Sequence, residues 1–356
     1  MVAYNRICYV QLGGGQPFSY YKDNGFQNIK WETIEGLDVR FNIKFFSDSA
    51  EGTANISILG LSFSRILQLA SWAGEATAYS KCWFIRVYAG YGVSRNDVDM
   101  IFEGQIINAM PTSPPDVWLN IEARTHYGNR TEYFTVDFMK LNHLSKRTAT
   151  IRKALSLLCE SLNAAHNLTD DMIRTLSSDM QKVLSYGTTA LPVFPSTSQY
   201  SDVVKSIKAI CKNNNLTFRR IFQSNGFPKY EFYPRLMPDD WEPGTLLEIS
   251  AKTGMIGIPQ MRYEGIVVKS LLSNAHKDML LGYFKVYSRF AMPGMYGQNQ
   301  GLTSLETKNP FECIYRVLSI TYTGHLRGKE WYVSYDGTRF IHYSDVVDPA
   351  NRGSQK

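Results

Sequence analysis

Apolar and polar residues alternate with a period of two through most of the first third of the chain. Between Ile34 and Phe46 the side chains of Leu37, Val39, Phe41, Ile43 and Phe45 fall on one face. That period marks a strand with one face buried. Tyr4 to Leu12 predicts an earlier strand, ended by a turn at Gly13-Gly14-Gly15, and Thr53 to Leu59 predicts a later one. At Ser62 the period lengthens. Serine is a helix-capping residue, Ile66, Leu67, Leu69 and Ala70 follow at helical spacing, and Gly74 closes the helix. Strands resume at Trp83 to Tyr88, running into Ala89 to Gly92, then at Asp99 to Ile106 and Val117 to Thr125.

The middle of the chain is helical in period. Ile151, Ala154, Leu155, Leu158 and Leu162 form one stripe within Thr150 to Ala165. Asp170 to Leu184 predicts a second helix. Tyr200 to Lys212 predicts a third, with Val203, Val204, Ile207, Ile210 and Cys211 on one side. Pro192 and Pro195 punctuate the loop between them. Short strands follow near Leu216 to Phe222 and Tyr230 to Tyr233.

The last third returns to β. In Leu246 to Leu272, Leu247, Ile249 and Ala251 alternate with Glu248, Ser250 and Lys252, and the whole reads as strand, tight turn, strand. Thr253-Gly254 is one turn, Gly257 to Pro259 is the next, and Gly265 opens the strand Ile266-Val267-Val268. Gly254, Gly257 and Gly265 are the candidate structural turns, because glycine tolerates positive φ without steric cost. Tyr283 to Tyr287 is a further strand. Ile314 to His325 is a long one, turned at Gly328 and paired back by Glu330 to Tyr335. Met292 to Gln300, rich in Gly, Pro and Asn, reads as a mobile or interface loop. Ser344 to Lys356 reads as a polar, frayed tail.

These periods predict an α+β fold, mainly β. Two β modules, residues 1–145 and 243–343, flank an α+β domain at 146–242, and residues 344–356 trail behind. The chain's 356 residues suffice for two or three such cores. Charged residues at 20% and aromatic residues at 13% describe a folded chain. A net charge of +6 without a run of like charges does not by itself argue for nucleic acid. The five cysteines, Cys8, Cys82, Cys159, Cys211 and Cys313, are far apart and contain no C-x-x-C. They read as reduced thiols of a chain made in a reducing cytosol. The first residues lack the apolar core of a signal peptide, and no stretch is apolar for the ~18 residues of a membrane span, so no membrane partner is expected.

Several stretches resemble a known family. TGMIGIPQ followed by EGIVVKSLL, within Leu246 to Leu272, resembles the signature segment of phage baseplate hub proteins. ANISILGLS, a short helix, a strand into AGYG and then IFEGQI, within Thr53 to Ile106, resemble the same hub and tail-tube family. RVLSITYTGHLRGKEWYVSYDG, from Arg316 to Gly337, resembles its closing hairpin. The resemblance covers most of residues 30–340 and is strong in those three segments, while the middle domain matches nothing recognisable.

The resemblance implies two related tail-tube-like β-barrel or sandwich modules. It implies a structural protein of a contractile or related phage tail, joining tail tube to central spike as a homotrimer and adapting six-fold to three-fold symmetry. It implies tail tube or tube-initiator proteins, the central spike, baseplate wedge proteins and the tape measure protein as partners. Assembly would occur in the host cytoplasm, with the mature protein in the virion baseplate.

Candidate chemistry is sparse. Gly13-Gly14-Gly15 is followed by Pro17 and not by Gly-Lys-Ser/Thr, so it is not a phosphate loop. The six histidines, His126, His143, His166, His276, His325 and His342, show no metal-ligand spacing. Cys8, Cys159 and His325 make no recognisable nucleophile motif. Asp239, Asp240 and Glu242 sit together in a Pro-bracketed linker, whereas a glycosidase needs two carboxyls facing across a cleft. No enzyme activity, cofactor or metal is therefore expected. A tail-tip cell-wall hydrolase or carbohydrate-binding protein is the alternative.

Basic residues concentrate between Ser201 and Arg235: Lys205, Lys208, Lys212, Arg219, Arg220, Lys229 and Arg235, interleaved with Phe218, Phe222, Phe232 and Tyr233. That combination opens a third reading, nucleic-acid binding. The preferred reading is a solvated helix face beside a half-buried strand pair, with Lys205, Lys208, Lys212, Arg219 and Arg220 available for docking on an acidic partner. Any nucleic-acid binding should then be non-specific and lost with salt, as phosphate-only contacts are. Filter binding at low and moderate salt checks this, and tight binding that survives moderate salt would favour the nucleic-acid reading.

Overall fold

The computed structural model describes residues 5–17, 20–21, 24, 28–47, 52–70, 81–125, 148–162, 164–168, 178–192, 200–214, 216–222, 228–234, 246–262, 265–272, 283–287 and 314–339. The fold is mainly β with few helices, as the periodicity predicts. The first part holds strands β1 (Asn5–Pro17), β2 (Trp31–Ile34), β3 (Asp38–Phe46) and β4 (Gly52–Leu59). Helix α1 (Phe63–Ala70) follows, then β5 (Lys81–Gly92), β6 (Met100–Pro111) and β7 (Trp118–Arg124). Ser62 precedes α1, and its carbonyl accepts from the amides of Arg65 and Ile66. Ile66 and Leu69 turn inward, whereas Leu67 is exposed, so the apolar stripe is narrower than its sequence. Gly74 lies outside the described residues.

The middle part holds β8 (Thr148–Thr150), α2 (Ile151–Ser161), β9 (Ala165–His166), α3 (Ser178–Tyr186), β10 (Thr188–Ala190), α4 (Tyr200–Asn213), β11 (Leu216–Phe222) and β12 (Pro228–Pro234). Thr150 caps α2, its Oγ1 accepting from the Lys153 amide at 3.3 Å. The stripe Ile151, Ala154, Leu155, Leu158 and Leu162 is buried, as predicted. Val203, Ile207, Ile210 and Cys211 of α4 close over it with Leu216, Phe218, Tyr230 and Phe232, so this part owns a separate core.

The last part holds β13 (Leu246–Ser250), β14 (Met255–Arg262), β15 (Gly265–Leu271), β16 (Tyr283–Tyr287), β17 (Ile314–His325) and β18 (Trp331–Arg339). Here the strand–turn–strand reading of Leu246 to Leu272 needs correcting. β13 does not fold back on β14; it runs parallel to β16, and β14 pairs with β15 instead. The predicted turn at Gly257 to Pro259 lies inside β14 as a bulge, between Ile256 and Gln260. Gly257 has φ +70° and lies in that bulge, where Gly257, Ile258 and Pro259 stand opposite Val268 alone. Gly254, at φ +98°, does sit in a turn. Gly265 is a close approach: a Cβ there would lie 2.0 Å from the Gly337 carbonyl oxygen.

Gly13-Gly14-Gly15 likewise does not end β1. The strand bulges between Gly14 and Gln16 and continues against β5. A Cβ on Gly14 would lie 2.3 Å from the Cys82 carbonyl oxygen, so only glycine lets the strands stay paired. Ile34 to Phe46 is two strands turning at Gly36.

The first and last parts, kept as separate modules by the sequence reading, are hydrogen-bonded into one 13-stranded sheet. The join is β17. Its first residues, Ile314 to Arg316, pair with β16, and Ser319 to His325 pair with β3. One apolar core runs continuously from Cys8 through Ala123 to Tyr335.

Gly324 of β17 lies in register between Phe41 of β3 and Trp331 of β18. With no side chain between them, the two rings meet edge-on at 5.5 Å. A Cβ on Gly324 would stand 2.1 Å from Phe41 Cζ. We expect Phe41→Ala to cost roughly 3–5 kcal/mol and Gly324→Val to cost several kcal/mol through overpacking. Valine at Gly254 or Gly257 should cost about 1–3 kcal/mol through backbone strain alone. Urea unfolding of the four variants checks the ranking; unchanged midpoints for Gly324→Val would remove the argument for the join.

Candidate assembly surface

The joined sheet has two unlike faces. On the buried face, Val333, Tyr322, Ile43, Ala54 and Ala123 follow one another across β18, β17, β3, β4 and β7. On the other face, one residue along, the row is Lys269, Ser334, Thr321, Lys44, Thr53 and Arg124, all exposed or half-buried. The next row is Tyr332, Thr323, Asn42, Asn55 and Glu122. Short polar side chains bond across strands: Ser57 Oγ donates to Asn120 Oδ1 at 2.7 Å. A single-residue register slip would swap the two faces, so the alternation itself holds the register.

The tip of the β17–β18 hairpin is tied to β1 and β3. Arg6 of β1 donates from Nη1 to the Gly328 carbonyl at 2.5 Å, and its guanidinium lies 5.5 Å from the Trp331 ring. The Leu326 amide donates to the Val39 carbonyl at 3.0 Å. His325 Nε2 lies 3.1 Å from Asp38 Oδ2 and 3.2 Å from Arg40 Nε, and the Arg40 guanidinium lies 4.0 Å from the Trp118 ring centroid. Arg6, Asp38, Arg40 and Trp331 were not singled out by sequence. The one local signal was Gly324 within an otherwise strong strand, which marks a close approach.

Of the proposed docking residues, Lys205, Lys208 and Lys212 are exposed on the outer face of α4, at helical spacing. Lys205 Nζ donates to Asp202 Oδ1 at 3.3 Å. Arg219 and Arg220 fall on β11 opposite Glu231 and Tyr230. Phe218 and Phe232, candidates for stacking bases, are instead buried, with ring centroids 6.0 Å apart. Burial of an apolar ring is the stronger driving force there. Lys229 pairs with Glu231 at 2.7 Å.

His166 is held by the backbone: Nδ1 accepts from the Leu168 amide at 3.3 Å, and Nε2 lies 3.2 Å from Ser156 Oγ. Burial lowers its pKa, partly countered by Glu160. Cys8 and Cys159 belong to different cores and are not brought together. The other four histidines, Cys313, and Asp239, Asp240 and Glu242 lie outside the described residues. Among the described residues no cluster of His, Cys, Asp and Glu could hold a metal ion, and no helix is long and apolar enough to cross a membrane.

The β part of the chain is thus a sheet with one face buried in a core and the other mostly polar. The chain belongs to the baseplate hub gp41 family, whose model matches residues 23–217, more than half of the sequence. It is thereby a structural component of the phage tail baseplate. The match contains the Thr53 to Ile106 segment. It also takes in the middle part as far as residue 217, where the sequence reading found no resemblance.

Among solved structures, similarity is found to the E. coli c3393 protein, described as a type VI secretion component with structural similarity to T4 tail proteins gp27 and gp5. The identity is 11% and the TM-score 0.44, over 86% of this chain and 76% of that one. The 43 kDa tail protein of prophage MuSo2 from Shewanella oneidensis is 7% identical with TM-score 0.46, over 93% and 96% of the two chains. A tail protein from Neisseria meningitidis MC58 is 8% identical with TM-score 0.45, over 96% and 99%. No curated protein matches.

Burial raises the thiol pKa of Cys8 and Cys159, and pushes those of Cys82 and Cys211 up to about 12. Tyr283 is pushed up to about 12 and Tyr335 is raised, again by burial. Above the ordinary thiol value of 9.0 the unfolded chain sheds protons that the folded chain keeps. Stability is therefore full below about pH 9 and falls as pH rises towards 12. Melting temperature followed from pH 7 to 11 should decline from about pH 9 upward; a flat profile would show these groups to be solvated.

Proposed function

We propose that the chain is the hub at which the tail tube meets the central spike, acting as a homotrimer that adapts six-fold to three-fold symmetry. The supporting observation is β17, which places the first and last β parts side by side in one sheet with a common polar front. Three copies would then present six β parts towards a six-fold tube and remain three-fold below. Closed cyclic symmetry leaves no unused end. In this reading residues 1–145 and 243–343 are the two tail-tube-like units and 146–242 is a peripheral domain, with residues 344–356 beyond them.

Tail tube or tube-initiator proteins bind above, the spike below, and wedge and tape measure proteins are the remaining neighbours. Lys205, Lys208, Lys212, Arg219 and Arg220 supply a basic docking face for an acidic neighbour. The protein works without cofactor or catalysis, is assembled in the host cytoplasm and ends in the virion baseplate.

Electron microscopy of assembled tail tips should show three copies at the tube–spike boundary; six copies or one would overturn the trimer. Zymography of the isolated chain against peptidoglycan should show no clearing, and clearing would move the assignment to a wall hydrolase.

A further inference from the structure

Residues 164–168 tie helix α2 to strand β12 at the core of the middle part. The Ala164 amide donates to the Cys159 carbonyl at 2.9 Å, and Ala165 and His166 form β9, parallel to Lys229 and Tyr230 of β12. Asn167 extends the pairing with its side chain. Its Oδ1 accepts from the Phe232 amide at 2.8 Å, and its Nδ2 donates to the Phe232 carbonyl at 3.1 Å. Arg152 Nε of α2 donates to the Leu168 carbonyl at 3.0 Å. Ala164 and Leu168 are buried in the core that α4 closes. Amides, carbonyls, a carboxamide and a guanidinium keep their protonation between about pH 5 and 8. Of the groups holding this segment, His166 alone is an imidazole.

The hydrogen bonds around the ring fix where its proton lies. An amide only donates, so Nδ1, which receives the Leu168 amide at 3.3 Å, carries no hydrogen. The neutral ring therefore holds its hydrogen on Nε2 and donates it to Ser156 Oγ at 3.2 Å. Ser156 Oγ in turn donates to Glu160 Oε1 at 2.8 Å. This chain of bonds is complete only for neutral imidazole. A second proton has to sit on Nδ1, facing the Leu168 N–H. That leaves the amide of a buried residue without its acceptor, a heavier loss than one ordinary hydrogen bond.

We propose that His166 is a proton-operated latch on the middle part, closed by the neutral ring and released in acid, when Leu168 loses its acceptor and residues 164–168 come away from β12. Among the described residues the groups facing the ring are Ser156, Glu160 and Arg152 of α2, Tyr230 opposite it on β12, and the Lys229–Glu231 pair on the same strand. Burial, the largest influence, holds the ring's pKa below its ordinary 6.5, and the Arg152 guanidinium acts the same way; Glu160, 4.0 Å from Nε2, works against them. As pH falls through about 6.5 the unfolded chain takes up a proton that the folded chain does not, so the latch contributes fully above that pH and less below it. This loss lies on the acid side, separate from the alkaline loss of the buried thiols. The β part has its own core, and the latch rests on neither the partners nor the copy number proposed above.

Hydrogen exchange of the full chain, read by mass spectrometry at about pH 7.5 and about pH 4.5 and corrected for the intrinsic pH dependence of exchange, tests the latch. Peptides spanning residues 164–168 should lose protection several-fold at the lower pH. His166→Asn supplies a carbonyl acceptor that does not titrate and should stay protected at both. His166→Phe supplies no acceptor and should be open at both. Equal protection of the wild type at the two pH values overturns the latch, and so does an acid loss that persists in His166→Asn. A readout on the wild type needs no variant to fold. Nitrogen NMR should show His166 Nδ1 without a hydrogen at the higher pH and protonated over the range in which the segment opens; a hydrogen on Nδ1 at the higher pH overturns the proposal.

Discussion

Everything in the β portion depends on β17 belonging to two sheets' worth of partners at once. Its early residues pair with β16 and its later ones with β3, while β18 runs beside it along most of its length. That is possible only because Gly324 is empty on the core face. Phe41 and Trp331 occupy the space a side chain there would need, and their edge-on contact spans the two halves of the chain. A core packed to crystal-like density leaves no slack to place those rings elsewhere. The hairpin tip is then pinned by Arg6 of β1 and by the Leu326 amide on Val39.

The same join explains the surface. Because the register across β17 and β3 is continuous, the two-residue alternation of each half is in phase with the other. One face becomes a single core and the opposite face a single polar front. Had the halves met one residue out of register, each would have presented the other's apolar row to water. The front is made mostly of Thr, Ser and Asn side chains with scattered Lys, Arg and Glu, and with Tyr332 among them.

The middle part follows a different logic. Its helices and short strands close a core of their own, which includes Cys159 and Cys211 as small buried hydrophobes. The polar faces of α2 and α4 then remain outside, so the basic stripe on α4 is a consequence of burying the opposite side of that helix. It belongs to the matched family region as far as residue 217, although no short motif in it is distinctive.

Local order was legible in the sequence wherever one face of an element is buried. The alternation in Ile34 to Phe46, the stripe in Thr150 to Ala165 and the hairpin after Ile314 all stand in the structure, since periodicity records burial directly. The family resemblance was legible for a related reason, because its segments carry that alternation interrupted by glycines. Partner choice was not legible. Nothing local tells β13 to pair with β16 in place of β14, or says that Gly13-Gly14-Gly15 is a bulge within a strand, since both depend on residues distant in the chain. The roles of Arg6, Asp38 and Trp331 were hidden likewise. Each is an ordinary strand residue until β17 brings the first and last parts together, and that meeting is decided by non-local packing around Gly324, which only the tertiary structure contains.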